Sequence, residues 1–494
     1  MIAIERCSIN YKLELQIIWG GENLLSWIAF KRERSNWLLT LLTVTTLASS
    51  LLPVYASIAT AKAATQIIPV AEDPTPGYWE TSEFMIGSIA VSIVFLESNG
   101  TIDPDTEDWT SDEESEVIQQ IPFGLYNWAV YNGMPRNVSF VFDNKTIHYR
   151  VPTSYEPISR NYTDEVLWIS EAMNYLGYAK GDHWTQVYDY VNDLRDILNT
   201  DWAFVMFIVD NSNDLDGCFE DGWSEYAWPG GPYLVMTYTV GGWGIRKMGV
   251  VCAHEVGHIF HATDEYNGIT EYSGYLNASD IEGSGDLMDT AETWTLSSGA
   301  MEQVGWRDSD GDGIQDIVDT FPRIYLNPPE TSQGRVNYTG TTVVTPIVNK
   351  NPYTNNPNGT RNVTINKIQS VEFRVDSGNW TPATSTDGNF GDAVENFALI
   401  TEQLNPGNHT IEVKSTNQWG NSGHANTTVT IPEFLETDLN MDGKVNIQDI
   451  FIVAKAYQTK PGDENWDPRA DLDGNDLINI VDLYEVAKDY GKTV

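Results

Sequence analysis

The sequence predicts an α/β domain, an all-β sandwich and a small α-helical module, in that order. Three textures along the 494 residues predict it. Strand-like apolar runs alternate with helical periodicity up to Trp306, and Val/Thr-rich runs broken by Asn, Pro and Gly fill 324–431. After residue 433 a loop-plus-helix unit is written twice. A chain of this length carries two to four domains, each with its own core. The boundaries read as an N-terminal extension over 1–63, the α/β domain over 64–306, an acidic linker loop over 307–322, the sandwich over 323–432 and the helical module over 433–494.

The extension reads as an export signal. Lys31-Arg32-Glu33-Arg34 precedes WLLTLLTVTTLASSLLPV, and Ala61-Lys62-Ala63 stands before Ala64. That is a basic region, a short apolar region and a small-x-small cleavage site. The apolar run is too short and too hydroxylated for a transmembrane span, although an uncleaved signal would anchor the chain to the membrane. Residues 1–30 are unusual for a leader and fit a misassigned start. Sequons at Asn137, Asn161, Asn362 and Asn408 suit a glycosylated, secreted or cell-surface protein. With Cys7 in the removed segment, Cys218 and Cys252 remain, which in an exported protein reads as one disulfide. The alternative is a buried free Cys252 on an apolar helix. The formal charge of -42 repels phosphate backbones and argues against any nucleic-acid partner. It fits a solvated surface on which many carboxylates bind calcium.

Within the α/β domain, SIAVSIVFLES (88–98) is a buried strand. Ser111-x-x-Glu114 is a capping box opening a helix through IPFGLYNWAVYN. NVSFVFDNKTIHYRV reads as one strand, 164–176 and 183–199 as helices, and WAFVMFIVD as a buried strand. The Gly- and Pro-bounded strand GPYLVMTYTV is expected at a sheet edge, where an extended peptide can pair with it. The helix GVVCAHEVGHIF that follows is apolar nearly all round, and so is buried.

That helix opens HEVGHIFHATDEY, residues 254–266. A helix turns 100° per residue, so His254 and His258 point the same way and can share one metal. Imidazole nitrogens buried on an apolar helix need a partner, and zinc supplies one. Glu255, beside the first histidine, stands where it can take a proton from water. The five-residue pattern also arises by chance on ordinary helices.

Asp264 lies ten residues after His254, and Met288 sits downstream in the turn-rich GDLMD. Here the chain resembles the metzincin clan of zinc endopeptidases, in its aspartate-ligand variant. Over 85–306 it is similar to secreted microbial metallopeptidases related to immunoglobulin-A-cleaving zinc peptidases. The resemblance implies zinc held by His254, His258 and Asp264, Glu255 as general base and Met288 in the turn beneath the metal. Two departures stand out. The clan's turn glycine is His261 here, a residue type that tolerates positive φ. Because His261 falls on the same helix face as the other histidines, it and Glu265 stay open as alternative third ligands. Thr290 stands where some members carry a metal-reaching tyrosine.

Three loops place oxygen ligands at EF-hand-like offsets. They are Asp308, Asp310, Asp312, Asp316 and Asp319; Asp438, Asn440, Asp442, Asn446 and Asp449; and Asp471, Asp473, Asn475, Asn479 and Asp482. Each is expected to bind calcium, since carboxylates this close repel without a cation; solvated acidic turns are the alternative. In the third loop Asp476 replaces the usual turn glycine. The last two loops lie in DLNMDGKVNIQDIFIVAKAY and DLDGNDLINIVDLYEVAKDY, a duplication that resembles type I dockerins. The resemblance implies a cohesin-type partner module on a scaffold or envelope protein. Val445, Ile450, Ile478 and Leu483 are expected to pack the two halves together.

The expectation is a secreted zinc endopeptidase acting on protein or peptide substrates and tethered through its tail. The alternative is a non-catalytic surface-assembly protein with a structural zinc site. Glu255 separates them, because a structural site needs no carboxylate beside its ligands.

Overall fold

The structure, a computed structural model, describes residues 2–3, 73–132, 138–332 and 334–493. The expected signal region, Cys7 and the Asn137 sequon lie outside the described residues. Among the described residues no helix is long and apolar enough to cross a membrane. The fold is mixed α/β with several sheets.

The N-terminal part runs β1 (Ile2–Ala3), β2 (Ser88–Ser98), α1 (Ser111–Tyr131), β3 (Ser139–Val141), β4 (Ile147–Thr153), α2 (Glu165–Tyr175) and α3 (His183–Leu198). It continues β5 (Trp202–Val209), β6 (Tyr226–Ala227), β7 (Tyr233–Thr237), α4 (Met248–Ile259), β8 (Tyr272–Ser273), β9 (Ala278–Ser279), α5 (Leu287–Thr290) and α6 (Ser298–Gln303). The large sheet has the order β1-β6-β7-β5-β2-β3, with β4 also on β2. Pairing is parallel from β7 through β5 to β2 and on to β3 and β4; β6 and β1 pair antiparallel.

Strand alternation sorts the side chains into two cores. Ile89, Val91, Ile93 and Phe95 join Phe204, Met206 and Ile208 beneath α1 and α4. Ala90, Val94 and Leu96 join Ala203, Val205 and Phe207 against α2 and α3. The result is a three-layer stack with the histidine helix on one face. Helix α4 is buried along its whole length. It meets α1 at two glycines: a Cβ on Gly124 would come 2.2 Å from the Gly249 carbonyl oxygen. Neither helix could approach so closely with a side chain there.

Three expectations need correcting. The capping box uses Thr110 and Glu113, one residue earlier than Ser111 and Glu114: the Glu113 N–H donates to Thr110 Oγ1 at 3.3 Å and the Thr110 N–H to Glu113 Oε2 at 2.8 Å. NVSFVFDNKTIHYRV is broken into β3 and β4 because Asp143 accepts the Lys145 N–H at 2.7 Å and caps a turn. Strand β7 is internal, between β5 and β6, and buried on both faces. The two-residue strand β6, too short to register as a periodic signal, lies outside it.

The all-β part contains β10 (Arg323–Leu326), β11 (Glu330–Ser332), β12 (Arg335–Val343), β13 (Ile368–Val375), β14 (Thr381–Pro382), β15 (Thr384–Ser385), β16 (Val394–Ile400), β17 (Gly407–Asn417) and β18 (Ser422–Ile431). Two antiparallel sheets, β10-β12-β16-β15 with β11 on β12 and β14-β13-β17-β18, enclose a core around Tyr338, Phe373, Phe397 and Val413. Residues 346–366 carry no strand and run back as a strap over the α/β part. Val363 and Ile365 enter its core, the Val363 N–H donates to the Tyr275 hydroxyl at 2.8 Å, and Arg361 pairs with Glu80 at 2.7 Å.

In the tail, α7 (Ile447–Lys455) and α8 (Ile480–Lys488) each begin with an Asn/Asp capping box, Asn446–Asp449 and Asn479–Asp482. Val445, Val453, Ile478 and Val486 form their shared core, with Ile450 and Leu483 packed at its margin.

Candidate metal centre

Helix α4 presents His254 and His258 on one side, and the chain after it folds back to bring Asp264 to them. The His254 Nδ1–H donates to the Leu287 carbonyl at 2.8 Å, and the His258 Nδ1–H to the Ala262 carbonyl at 2.8 Å. These carbonyls fix the tautomer, so both Nε2 lone pairs point inward. The two Nε2 atoms stand 3.0 Å apart, and Asp264 Oδ1 lies 3.2 and 3.3 Å from them. Ligands at about 2.0–2.1 Å from a tetrahedral zinc lie roughly 3.3 Å from each other. The triad therefore has the spacing of three corners of such a site. Two inward lone pairs and a carboxylate repel at this range, and Asp264 Oδ1 has no other hydrogen-bond partner. A divalent cation fits the donor set.

Burial, the largest single effect, works to raise the Asp264 carboxyl, and only positive charge facing it at the imidazole positions holds it well below the ordinary carboxylate range, a charge that a bound cation would supply. Glu255 is fully buried and neither carboxylate oxygen is hydrogen-bonded. Burial first, then the charges of Glu225 and Asp264, push its carboxyl well above the ordinary range.

His261 does not join the cluster. It takes φ +72, so it makes the turn that a glycine would otherwise make. Its ring packs against Gly230, where a Cβ would come 2.8 Å from the His261 Cε1. Both its ring nitrogens are buried without a hydrogen-bond partner, and burial lowers its pKa to about 4. Glu265 is committed elsewhere: its Oε1 accepts the Ser297 hydroxyl at 2.6 Å and the Ile281 N–H at 3.0 Å.

Met288 lies beneath α4, and a Cβ on Gly257 would come 2.8 Å from its sulfur. Asp286 caps this turn by accepting the Met288 N–H at 2.8 Å, and the Met288 carbonyl accepts the Glu265 N–H at 3.1 Å. The turn thus links the Leu287 carbonyl that orients His254 to the segment that carries Asp264. The expected Cys218–Cys252 disulfide is not formed: Cys252 is a free thiol and Cys218 is disulfide-bonded without it. Cys252 is fully buried on α4 in the core beneath the sheet, a place that leaves it inert.

The three acidic loops share one backbone shape. Their fourth residues, Gly311, Met441 and Gly474, have φ +78, +57 and +66; their sixth, Gly313, Gly443 and Asp476, have φ +90, +82 and +64. In each, the sixth N–H donates to the first aspartate, at 2.9, 2.8 and 3.0 Å. The oxygens of Asp308, Asp310 and Asp312 converge, as do those of Asp471, Asp473 and Asp482. In the first loop Asp316 is instead ion-paired with Arg307 at 2.6 Å, and Asp319 accepts from Asn421 at 2.7 Å. In the second loop Asp449 accepts the Asn440 and Asn446 N–H groups, and Asn446 donates to Asp442.

No protein-family model matches the chain, and no curated protein matches it. Among solved structures, wild-type OgpA from Akkermansia muciniphila aligns at TM-score 0.22 and 9% identity, over 73% of this chain and 96% of that one. Catalytically inactive OgpA in complex with an O-glycopeptide substrate aligns at TM-score 0.19 and 10% identity, over 73% and 96%. A type II cohesin–X–dockerin complex from Acetivibrio cellulolyticus aligns at TM-score 0.12 and 18% identity, over 25% and 82%. Likenesses this weak carry no argument about chemistry, which rests on the side chains themselves.

Proposed function

We propose that the chain is a zinc-dependent endopeptidase, exported and tethered by its calcium-dependent, dockerin-like tail. The observation that carries the reading is the convergence of His254 Nε2, His258 Nε2 and Asp264 Oδ1 within 3.3 Å, with the unbonded carboxylate of Glu255 beside them. A zinc ion held by the three would polarise a scissile carbonyl and acidify a water. A cation there would also draw the Glu255 carboxyl down from its raised pKa and leave it ionised. Glu255 would then take a proton on its carboxylate and return it to the leaving amine. The Leu287 and Ala262 carbonyls hold the two imidazoles at fixed angles throughout. A purely structural zinc site has no use for a buried carboxylate with both oxygens unbonded.

The tail supports tethering. Ile447 and Phe451 on α7, and their repeat equivalents Ile480 and Tyr484 on α8, stand 61–66% exposed. Apolar side chains repeated on the outside of a small module suit a protein partner such as a cohesin.

The test is digestion of a peptide library by the full chain. Cleavage should stop on chelation and return with zinc. Glu255→Gln should keep its zinc and lose about 10²–10⁴-fold in turnover. Unchanged turnover in that variant would remove the mechanism.

A further inference from the structure

The turn between β6 and β7 reads Trp228-Pro229-Gly230-Gly231-Pro232. Gly230 and Gly231 take φ +78 and +73, a region that glycine enters without strain, and the two prolines have no N–H to donate. Glycine loses more freedom on ordering than any other residue, so a turn of this composition keeps one shape only when its surroundings hold it. From within, the Gly231 N–H donates to the Trp228 carbonyl at 2.9 Å. From outside, Asn355 on the strap reaches across: its side-chain amide donates to the Pro229 and Gly231 carbonyls, each at 3.0 Å.

At Gly230 three parts of the chain meet. A Cβ there would come 2.8 Å from His261 Cε1, 3.2 Å from His261 Nε2 and 3.2 Å from Asn355 Nδ2. His261 belongs to the turn between the donors His258 and Asp264. Its ring is buried, with neither nitrogen hydrogen-bonded among the described residues, so it keeps its place by packing. The surface it packs on is the glycine that Asn355 secures. Further along the hairpin, Ala227 of β6 enters the core under α4, and Glu225, one residue before β6, is near enough for its charge to act on Glu255. The outer edge of β6 accepts an extended backbone, since Ile2 and Ala3 pair antiparallel there with Ala227 and Tyr226.

On the endopeptidase reading above, we propose that Asn355 is a positioning residue: by clamping the β6–β7 turn onto His261, it sets the place of the edge strand, along which an extended peptide lies, relative to the metal. The far end of the clamp is itself anchored. Asn356 donates to Glu80 at 2.8 Å, Asn349 to Glu83 at 3.0 Å, and the Lys350 N–H to the Tyr275 carbonyl at 2.9 Å. Asn355 is exposed, so it acts through its two hydrogen bonds and not through burial. The strap thereby makes the all-β part a contributor to the geometry of the site.

The test is Asn355→Asp in the full chain, which keeps the size of an exposed side chain and sets a carboxylate where the two N–H donors were. Against a peptide that the wild type cleaves, KM should rise about threefold to tenfold, while kcat, zinc content and the urea midpoint hold. Unchanged kinetics would overturn the proposal. So would a loss of zinc or of stability that carries kcat down with it, since that is the mark of a merely structural contact. Amide exchange reads the clamp without catalysis: in the variant it should quicken across 226–231 and stay slow in α4. A wild type that cleaves no peptide would remove the endopeptidase reading and leave the clamp to the exchange measurement, where unchanged protection at 226–231 overturns it.

Discussion

Asp264 and His261 are three residues apart, and only one of them turns back to the histidine pair. Asp264→Ala should strip most of the zinc, while His261→Ala should lower zinc content only mildly; metal analysis of both variants reads the difference, and the reverse ranking would make His261 the ligand. His261 has a second consequence. Its folded pKa of about 4 lies below the ordinary 6.5, because burial disfavours the imidazolium. Between those values the unfolded chain binds a proton that the folded one refuses, so stability falls as pH drops from 6.5 towards 4, by on the order of 3 kcal/mol. His261→Asn keeps a residue that accepts φ near +72 and should flatten that acid limb in urea titrations. The histidine spacing and Glu255 were legible in the sequence because helical geometry is rigid. The third donor, Asp264, came only through the family resemblance, with His261 and Glu265 left open, since an offset cannot say which residue of a turn faces back. Cys252 was misread for a related reason: cysteine counting carries no information about which helix face a thiol occupies.

At the scale of elements, the contact that positions α4 is backbone against backbone. Gly124→Ala would drive a methyl group to 2.2 Å from the Gly249 oxygen and force the helices apart. It should cost about 1–3 kcal/mol or more, measured by denaturant unfolding, and weaken zinc retention in parallel. A Gly on a helix reads from sequence only as a weak helix former, so this contact leaves no periodic trace. Long buried strands do leave one, and 88–98 coincides with β2 from end to end. Helices α2 and α3 match their expected spans to within a residue for the same reason: their apolar stripes repeat over several turns. Strand β6 spans two residues, too few to show alternation, which is why β7 looked like the edge. The strap over 346–366 was grouped with the sandwich by its Asn- and Pro-rich texture. Texture reports the absence of helix, not the surface that a segment covers.

For the molecule as a whole, the proposed calcium loops make the tail the part that should depend most on ions. Its core has only seven fully buried apolar positions, among them Val445, Val453, Ile478 and Val486, and a core that small needs staples. If calcium sits in the two loops, its removal would leave the carboxylates of Asp438, Asp442, Asp471 and Asp473 to repel, and its binding would be largely folding energy. Amide exchange of the full chain should show α7 and α8 losing protection on calcium removal while α4 keeps its own. Protection that ignores calcium would remove the docking assignment. The α/β part and the sandwich are bound together differently, by a strap whose Val363 and Ile365 complete the core that α4 rests on. Seen as heritable parts, the units of this chain are therefore unequal. Recombination can exchange the tail, which carries its own core, and with it the exposed apolar face that Ile447, Phe451, Ile480 and Tyr484 present. It cannot exchange the sandwich alone, because the graft would arrive without the side chains that close the floor around Tyr275.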